Sequence, residues 1–154
     1  MLIQLIALLQ RVSQAKVAVA GEVIAEVRRG LLVLVGVARG DSEREAEKLA
    51  ERVLRYRVFA DADGRMNLSV RDVAGGVLLV PQFTLTADTS GGLRPSFSTA
   101  APPGLGAQLF AHFVAQVRAS GVSFACGRFG ADMQVSLTND GPVTFWLEAE
   151  PPQA

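Results

Sequence analysis

Two uninterrupted apolar stretches, residues 31–37 (LLVLVGV) and 77–80 (VLLV), constrain the fold of this chain most. A strand with one wet face alternates polar and apolar side chains. A strand without that alternation has to be covered on both faces. Gly30 precedes the first stretch, while Gly75-Gly76 and Pro81 bound the second. Proline cannot donate a ladder hydrogen bond, so Pro81 marks a strand end. The chain must therefore lay material above and below these strands. Its 154 residues, 49% hydrophobic and 19% charged, suffice for one domain with a sizeable core. One domain over residues 1–154 is expected, with residues 1–5 and 149–154 peripheral to it.

The remaining pattern supplies that cover. Residues 5–12 and 16–27 read as strands, the second folded into a hairpin about Ala20-Gly21. Ser42 followed by Glu45 matches a capping box. It opens a helix whose Ala46, Leu49, Ala50 and Val53 form one apolar stripe. Pro102-Pro103 opens a second helix, with Leu105, Leu109, Phe113 and Val117 on one face and Gly121 at its end. Residues 61–68 read as a polar turn and an irregular segment, and residues 86–97 as a Gly-rich polar loop of the kind that carries function. Val135–Leu137 and Val143–Leu147 read as two strands separated by Asn139-Asp140-Gly141-Pro142. Pro142 forbids one backbone N–H bond there and biases Gly141 toward extended geometry. The sum is an α/β fold, a single compact domain of stacked mixed β-sheets with two helices on one side.

Several chemistries are excluded. Fifteen basic and fifteen acidic residues cancel, so bulk charge supplies no attraction to nucleic acid or to an acidic membrane. The apolar start, Met1 to Leu9, lacks the basic flank of a secretion signal and is too short to span a bilayer. A cytoplasmic protein without a membrane partner is expected. Cys126 is the single cysteine, which excludes an internal disulfide and any multi-cysteine metal site. His112 is the single histidine and falls mid-helix, with nothing nearby in sequence to build a Ser-His-Asp or Cys-His nucleophile. Neither a dinucleotide-binding Gly motif nor a P-loop occurs. The acidic turn at Asp61 and Asp63 lacks the glutamate that closes a calcium loop. No metal and no cofactor is expected. An enzyme made from this chain works with backbone groups, hydroxyls and positioning.

Two segments narrow the field. "PQFTL" (81–85) and "NDGPVT" (139–144) resemble the paired signatures of D-aminoacyl-tRNA deacylases, Ser-Gln-x-x-Leu and Asn-x-Gly-Pro-Val-Thr. The similarity continues through "QRVSQAKV" (10–17), "GLLVLVGVARGD" (30–41), "RPSFSTAAPP" (94–103) and "GRFGADM" (127–133), in collinear order from Ile6 to Glu148. The resemblance implies a homodimeric hydrolase that removes D-amino acids, and glycine mischarged on tRNA(Ala), from the 3′ end of tRNA. Its expected partners are tRNA and a second copy of itself, not DNA. It implies that Gln82, Phe83 and Thr84 form the catalytic wall of a pocket at a strand end. Phe129 and Met133 match positions lining the terminal adenosine. Gly141-Pro142 matches a Gly-cis-Pro element that one subunit inserts into the other's pocket as a chiral gate. Arg11 matches an arginine supporting that element, and Asn139 belongs to the same motif. Pro81 departs from the family's serine. A related animal tRNA deacylase that tolerates L-alanine carries Pro-Gln-x-x-Leu there, but it departs from the Asn-x-Gly-Pro-Val-Thr motif that this chain keeps. The D-selective function is therefore expected.

An aminoacyl ester is already activated, so its hydrolysis needs a placed water and an oxyanion hole more than a strong nucleophile. Backbone N–H groups around Phe83 and Thr84 suit that task. Thr84 reads as a positioning hydroxyl, since no base stands ready to activate it as a nucleophile. The rival class is a non-enzymatic RNA-binding or dimeric scaffold protein, with the aromatics of the GRFG and RPSF loops stacking on bases.

Overall fold

The computed structural model describes residues 4–150, and in it the two apolar stretches lie side by side as parallel strands. In chain order the elements are β1 (Ile6–Val19), β2 (Glu22–Val27), β3 (Gly30–Gly36), α1 (Glu43–Arg55), β4 (Phe59–Ala60), β5 (Met66–Leu68), β6 (Gly76–Pro81), a short 3-10 helix (Phe83–Thr86), α2 (Pro103–Ala119), β7 (Ser123–Cys126) and β8 (Gln134–Glu148). β3, β6 and β7 run parallel, while β1 is antiparallel to β2, β3 and β8. β4 and β5 form a separate two-stranded ribbon.

β1 organises the sheet. A strand has two edges, and β8 occupies one of them from Ile6 to Ala18. The other edge is shared in succession: Ile6–Val12 pair with β3, and Ala15–Val19 pair with β2. This changes the expected order. The expected strands at 5–12 and 16–19 are one long strand, Ile6–Val19, because β8 pairs with it on both sides of an irregularity at Ser13 while the partner on the opposite edge changes.

Alternate side chains of β3 and β6 enter two cores. Leu31, Val33, Val35, Val77 and Leu79 meet the stripes of α1 and α2, among them Leu49, Val53, Leu109 and Phe113. Leu32, Leu78 and Val80 point the other way, onto Val12, Val17, Ala25 and Val27. Both helices therefore lie on one side. The expected stacking arises from one six-stranded sheet whose β1–β2 half curls back over β3 and β6. Each fully buried Leu or Phe contributes about 1.5–3 kcal/mol of hydrophobic stabilisation.

Both helix starts follow from local chemistry. The Glu45 carboxylate accepts from the Ser42 amide (3.2 Å) and hydroxyl (2.6 Å), and Pro103 occupies the first turn of α2. Two segments differ from expectation. Met66–Leu68 is a strand rather than irregular, because Asp61 Oδ1 accepts from the amides of Asp63 (2.9 Å) and Arg65 (3.0 Å) and closes a hairpin. Leu5 and Ala149, expected at the periphery, are buried, and the Ala149 amide donates to the Leu5 carbonyl at 2.8 Å. Gln4 is buried as well and Glu150 is exposed, while positions 1–3 and 151–154 lie outside the described residues.

Candidate active site

The site begins where β6 stops. Pro81 is its buried last residue, and the next amide, Gln82 N, donates to the Val35 carbonyl of β3 at 2.8 Å. The chain then tightens into the 3-10 helix. The Thr86 hydroxyl fastens it, with oxygens of Phe83 (2.8 Å) and Val37 (3.3 Å) in reach. Gly36 makes this turn possible: a Cβ there would stand 3.0 Å from both the Gln82 carbonyl oxygen and Leu85 Cβ. The Gln82 side-chain amide donates to the Thr84 hydroxyl. The first N–H groups of a helical turn have no acceptor within it, so those of Phe83 and Thr84 are available to a ligand.

Beside the turn opens a pocket of about 470 Å³. Pro81, Gln82 and Phe83 form one wall, Gly106 and Phe110 of α2 a second, and Phe129 and Met133 a third. Two glycines seat the third wall. A Cβ on Gly106 would meet Phe129 Cζ at 3.2 Å, and one on Gly127 would meet Met133 Sδ at 2.7 Å. At the mouth the Phe83 and Phe97 rings pair at 5.2 Å, 56% and 44% exposed respectively. Phe97 is thus a surface residue and not part of the core. The walls are apolar, and the one titratable group among them is Asp132. Such a slot accepts a flat ring and leaves polar chemistry to the turn at Gln82–Thr84.

A buried acid supports the frame next to the pocket. Asp41 accepts from the amides of Ala38 (2.7 Å) and Leu5 (3.2 Å). Burial raises its pKa to about 6, outweighing those two hydrogen bonds, which act in the opposite direction.

Arg11, Asn139, Gly141 and Pro142 assemble elsewhere. Gln10 pairs with Thr144 and Val12 with Asn139, so Asp140–Val143 of β8 stand opposite Arg11 alone and bulge outward as a tip. β8 is thus one strand with an excursion, not two strands joined by a turn, because β1 pairs with it on both sides of Arg11. The Gly141–Pro142 bond is cis, and both residues are exposed. Arg11 holds the tip: its Nε donates to the Asp140 carbonyl at 2.9 Å and its Nη1 to the Val58 carbonyl at 2.8 Å. The Asn139 amide donates to the carbonyls of Arg11 (2.9 Å) and Val143 (3.0 Å). A Cβ on Gly141 would lie 2.3 Å from Asn139 Oδ1 and 2.5 Å from Val143 N, so no other residue fits.

The sequence-derived residues therefore form two groups. The pocket edge is marked by Gly36 of β3, which pairs with Ile6, whereas Arg11 pairs with Leu31. Five residues of strand separate them, about 16 Å at roughly 3.3 Å per residue. Gly36, Gly106, Gly127 and Asp132 were not legible as site residues, since a glycine's role is a distance to an atom remote in sequence. His112 lies mid-way along α2, partly exposed, its ring 2.7 Å from Glu47 of α1. No cluster of three metal-binding side chains occurs among the described residues, and no helix among them is long and apolar enough to cross a membrane.

A family model described as D-Tyr-tRNA(Tyr) deacylase matches residues 8–148. The chain belongs to that family. A D-aminoacyl-tRNA deacylase of Nitrosococcus oceani is 63% identical to this deacylase-family chain over 147 residues, spanning 96% of the chain and 95% of the relative. One from Thioalkalivibrio sulfidiphilus is 58% identical, spanning 97% and 100%. Among solved structures, one named c-Myc DNA Unwinding Element Binding Protein superposes with a TM-score of 0.89 at 37% identity, covering 95% of this chain and 99% of that one. A second, described as a probable eukaryotic D-amino acid tRNA deacylase, superposes with a TM-score of 0.81 at 17% identity, covering 94% and 98%, and shares the fold.

Proposed function

We propose that this chain hydrolyses the ester of D-aminoacyl-tRNA, releasing the free D-amino acid and tRNA, and that it also clears glycine mischarged on tRNA(Ala). The observation that carries the reading is a pocket with mostly apolar walls beside a strand-end turn that presents main-chain N–H donors. The slot between Phe129, Met133 and α2 receives the terminal adenosine. The ester carbonyl then lies over Phe83 and Thr84, whose amides bind the developing oxyanion. The Thr84 hydroxyl, already bonded to Gln82, positions the substrate. The ribose 2′-hydroxyl orients the attacking water, and the leaving oxygen departs as the tRNA 3′-hydroxyl.

The tip at Gly141–Pro142 acts in the pocket of a second copy. Its own pocket is about 16 Å away along the sheet, at roughly 3.3 Å per residue, while the tip itself is exposed and rigidly held. Main-chain carbonyls at the tip accept from the substrate's α-ammonium group. A D side chain is then directed outward, glycine has none, and an L side chain collides with backbone. Selectivity by exclusion spares the abundant L-aminoacyl-tRNA. The homodimer interface is not formed by the long apolar strands, since β3 and β6 are buried on both faces within the protomer. The exposed Phe83, Phe97 and Leu93 supply apolar surface instead. This chemistry belongs to the cytoplasm, where aminoacyl-tRNA is used.

The deciding experiment incubates the protein with D-Tyr-tRNA and L-Tyr-tRNA and follows ester loss, with light scattering for assembly. Rapid loss of the D ester alone, by a dimer, is the expected result. Tight tRNA binding without ester loss would move the chain to the RNA-binding scaffold class.

A further inference from the structure

The charge of this chain sums to zero, yet its cations are not evenly spread. A shallow cleft of about 430 Å³ at the C-terminal end of α1 is lined by Lys48, Arg52, Arg55, Tyr56 and Arg57, with one carboxylate, Glu51. Glu51 pairs with Arg55 at 3.6 Å. The hydrogen-bond partners of Arg52 and Arg57 are neutral groups, while the Asp72 carboxylate feels the charge of Arg57. Arg52 donates to the Glu148 carbonyl at 3.4 Å, and Arg57 to Asn67 Oδ1 at 3.2 Å. The helix dipole accounts for Arg52 and Arg55, which lie in the last turn. It does not account for Lys48 one turn earlier or for Arg57 beyond the helix end.

The cleft also has a fixed floor. Tyr56 stands edge-on to Phe145 of β8 at 5.9 Å, and the Arg52 guanidinium lies 5.8 Å above the Tyr56 ring. Arginine and lysine around an immobilised aromatic form a surface suited to a phosphodiester strand. From Lys48 to Arg55 the helix advances about 10 Å at 1.5 Å per residue, long enough to meet more than one phosphate of a strand.

The cleft is next to the tip. Arg57 precedes Val58, whose carbonyl accepts from Arg11, and Arg11 holds the Asp140 carbonyl beside Gly141. The Arg57 end of the cleft is thus tied to the tip, while its Arg52 end reaches Glu148, which stands opposite Ile6. In the dimer proposed above, the protomer that inserts its tip brings this cleft to the mouth of its partner's pocket.

We propose that the cleft formed by Lys48, Arg52, Arg55 and Arg57 binds the phosphate backbone of the tRNA whose 3′ end occupies the partner's pocket. This rests on the cross-subunit reading for its placement, but not for its test. RNA arriving at a neutral protein gains no bulk attraction. A local cationic cleft supplies both affinity and orientation without touching the reacting ester.

The test uses the full-length protein and a Lys48→Gln/Arg55→Gln/Arg57→Gln variant, sparing Arg52 because it packs on Tyr56. Binding of uncharged tRNA is measured by fluorescence anisotropy across a salt series. Deacylation is measured on D-Tyr-tRNA and on the small ester D-tyrosyl-adenosine. The proposal expects tRNA affinity to fall at least tenfold, the slope of log K against log salt to shrink by about 0.7–0.9 per lost contact, and KM for D-Tyr-tRNA to rise in step. Hydrolysis of D-tyrosyl-adenosine stays within twofold of wild type. Unchanged tRNA affinity and salt slope overturn the proposal, as does equal loss on both substrates, which places the effect in the fold. Absence of hydrolysis by the wild-type protein sinks the deacylase reading instead, while the anisotropy series still decides this one.

Discussion

Arg11 and Asp140 are joined by a 2.9 Å hydrogen bond from the guanidinium Nε to the main-chain carbonyl that precedes Gly141. The same guanidinium reaches the Val58 carbonyl at 2.8 Å, so one side chain ties the tip of β8 to the segment after α1. Removing a charged donor from two carbonyls costs about 1–3 kcal/mol. Arg11→Gln should therefore lower stability in urea by that amount. It should also reduce D-Tyr-tRNA turnover by roughly tenfold or more, about 1.4 kcal/mol of barrier, because the tip loses its orientation. Unaltered turnover in a folded variant would free the tip from any dependence on Arg11.

Gly106→Ala separates stability from function. The added Cβ approaches Phe129 Cζ at 3.2 Å, and Phe129, 39% exposed, is able to swing outward. Alanine also gains about 1 kcal/mol of helix propensity over glycine. The variant should melt no lower than wild type while its KM for D-Tyr-tRNA rises several-fold. A lower melting temperature with unchanged KM would show that the Phe129 wall does not shape the slot.

Thr84→Ala should keep most of its turnover. The Gln82 amide engages the hydroxyl, and Asp132, the one carboxylate lining the pocket, makes no hydrogen bond to it. A loss within about tenfold fits a positioning role. Complete loss in a folded protein, with trapping of a covalent acyl-enzyme, restores the nucleophile.

Asp41 gives stability a pH signature. Its folded-state pKa is raised to about 6 from 3.8 by burial, so the folded state holds this proton more tightly than the unfolded chain. Its contribution is complete below about pH 4 and disappears as pH rises through about 6. The exposed carboxylates of Asp61, Asp72 and Asp88, all held below the ordinary value chiefly by hydrogen bonds, act in the opposite sense at lower pH. The comparison is therefore with Asp41→Asn, by urea denaturation at pH 5 and pH 7.5. Wild type should lose about 1–1.5 kcal/mol more than the variant between those values. Parallel curves would leave Asp41 without that role.

Local rules carried the sequence reading where the cause is local. The apolar runs of β3 and β6 show that both faces are covered, and the Ser42–Glu45 box and Pro103 show where helices begin, because each signal acts within a few residues. The same holds for Gly141-Pro142, legible as a motif. Tertiary structure decided what those pieces do together. Residues 6–19 become one strand only because β8 lies along their whole length, and residues 134–148 become one strand only because β1 pairs on both sides of Arg11. The slot exists because Gly36 and Gly106 leave room for Leu85 and Phe129 from other segments, and Gly127 for Met133 six residues on. Nothing within three or four residues of any of these glycines specifies that need. The separation of tip from pocket is likewise a consequence of register, set where Ile6 meets Gly36 and Arg11 meets Leu31. Periodicity states which face of a strand is buried; only pairing between distant segments fixes how far along the strand two functional groups stand.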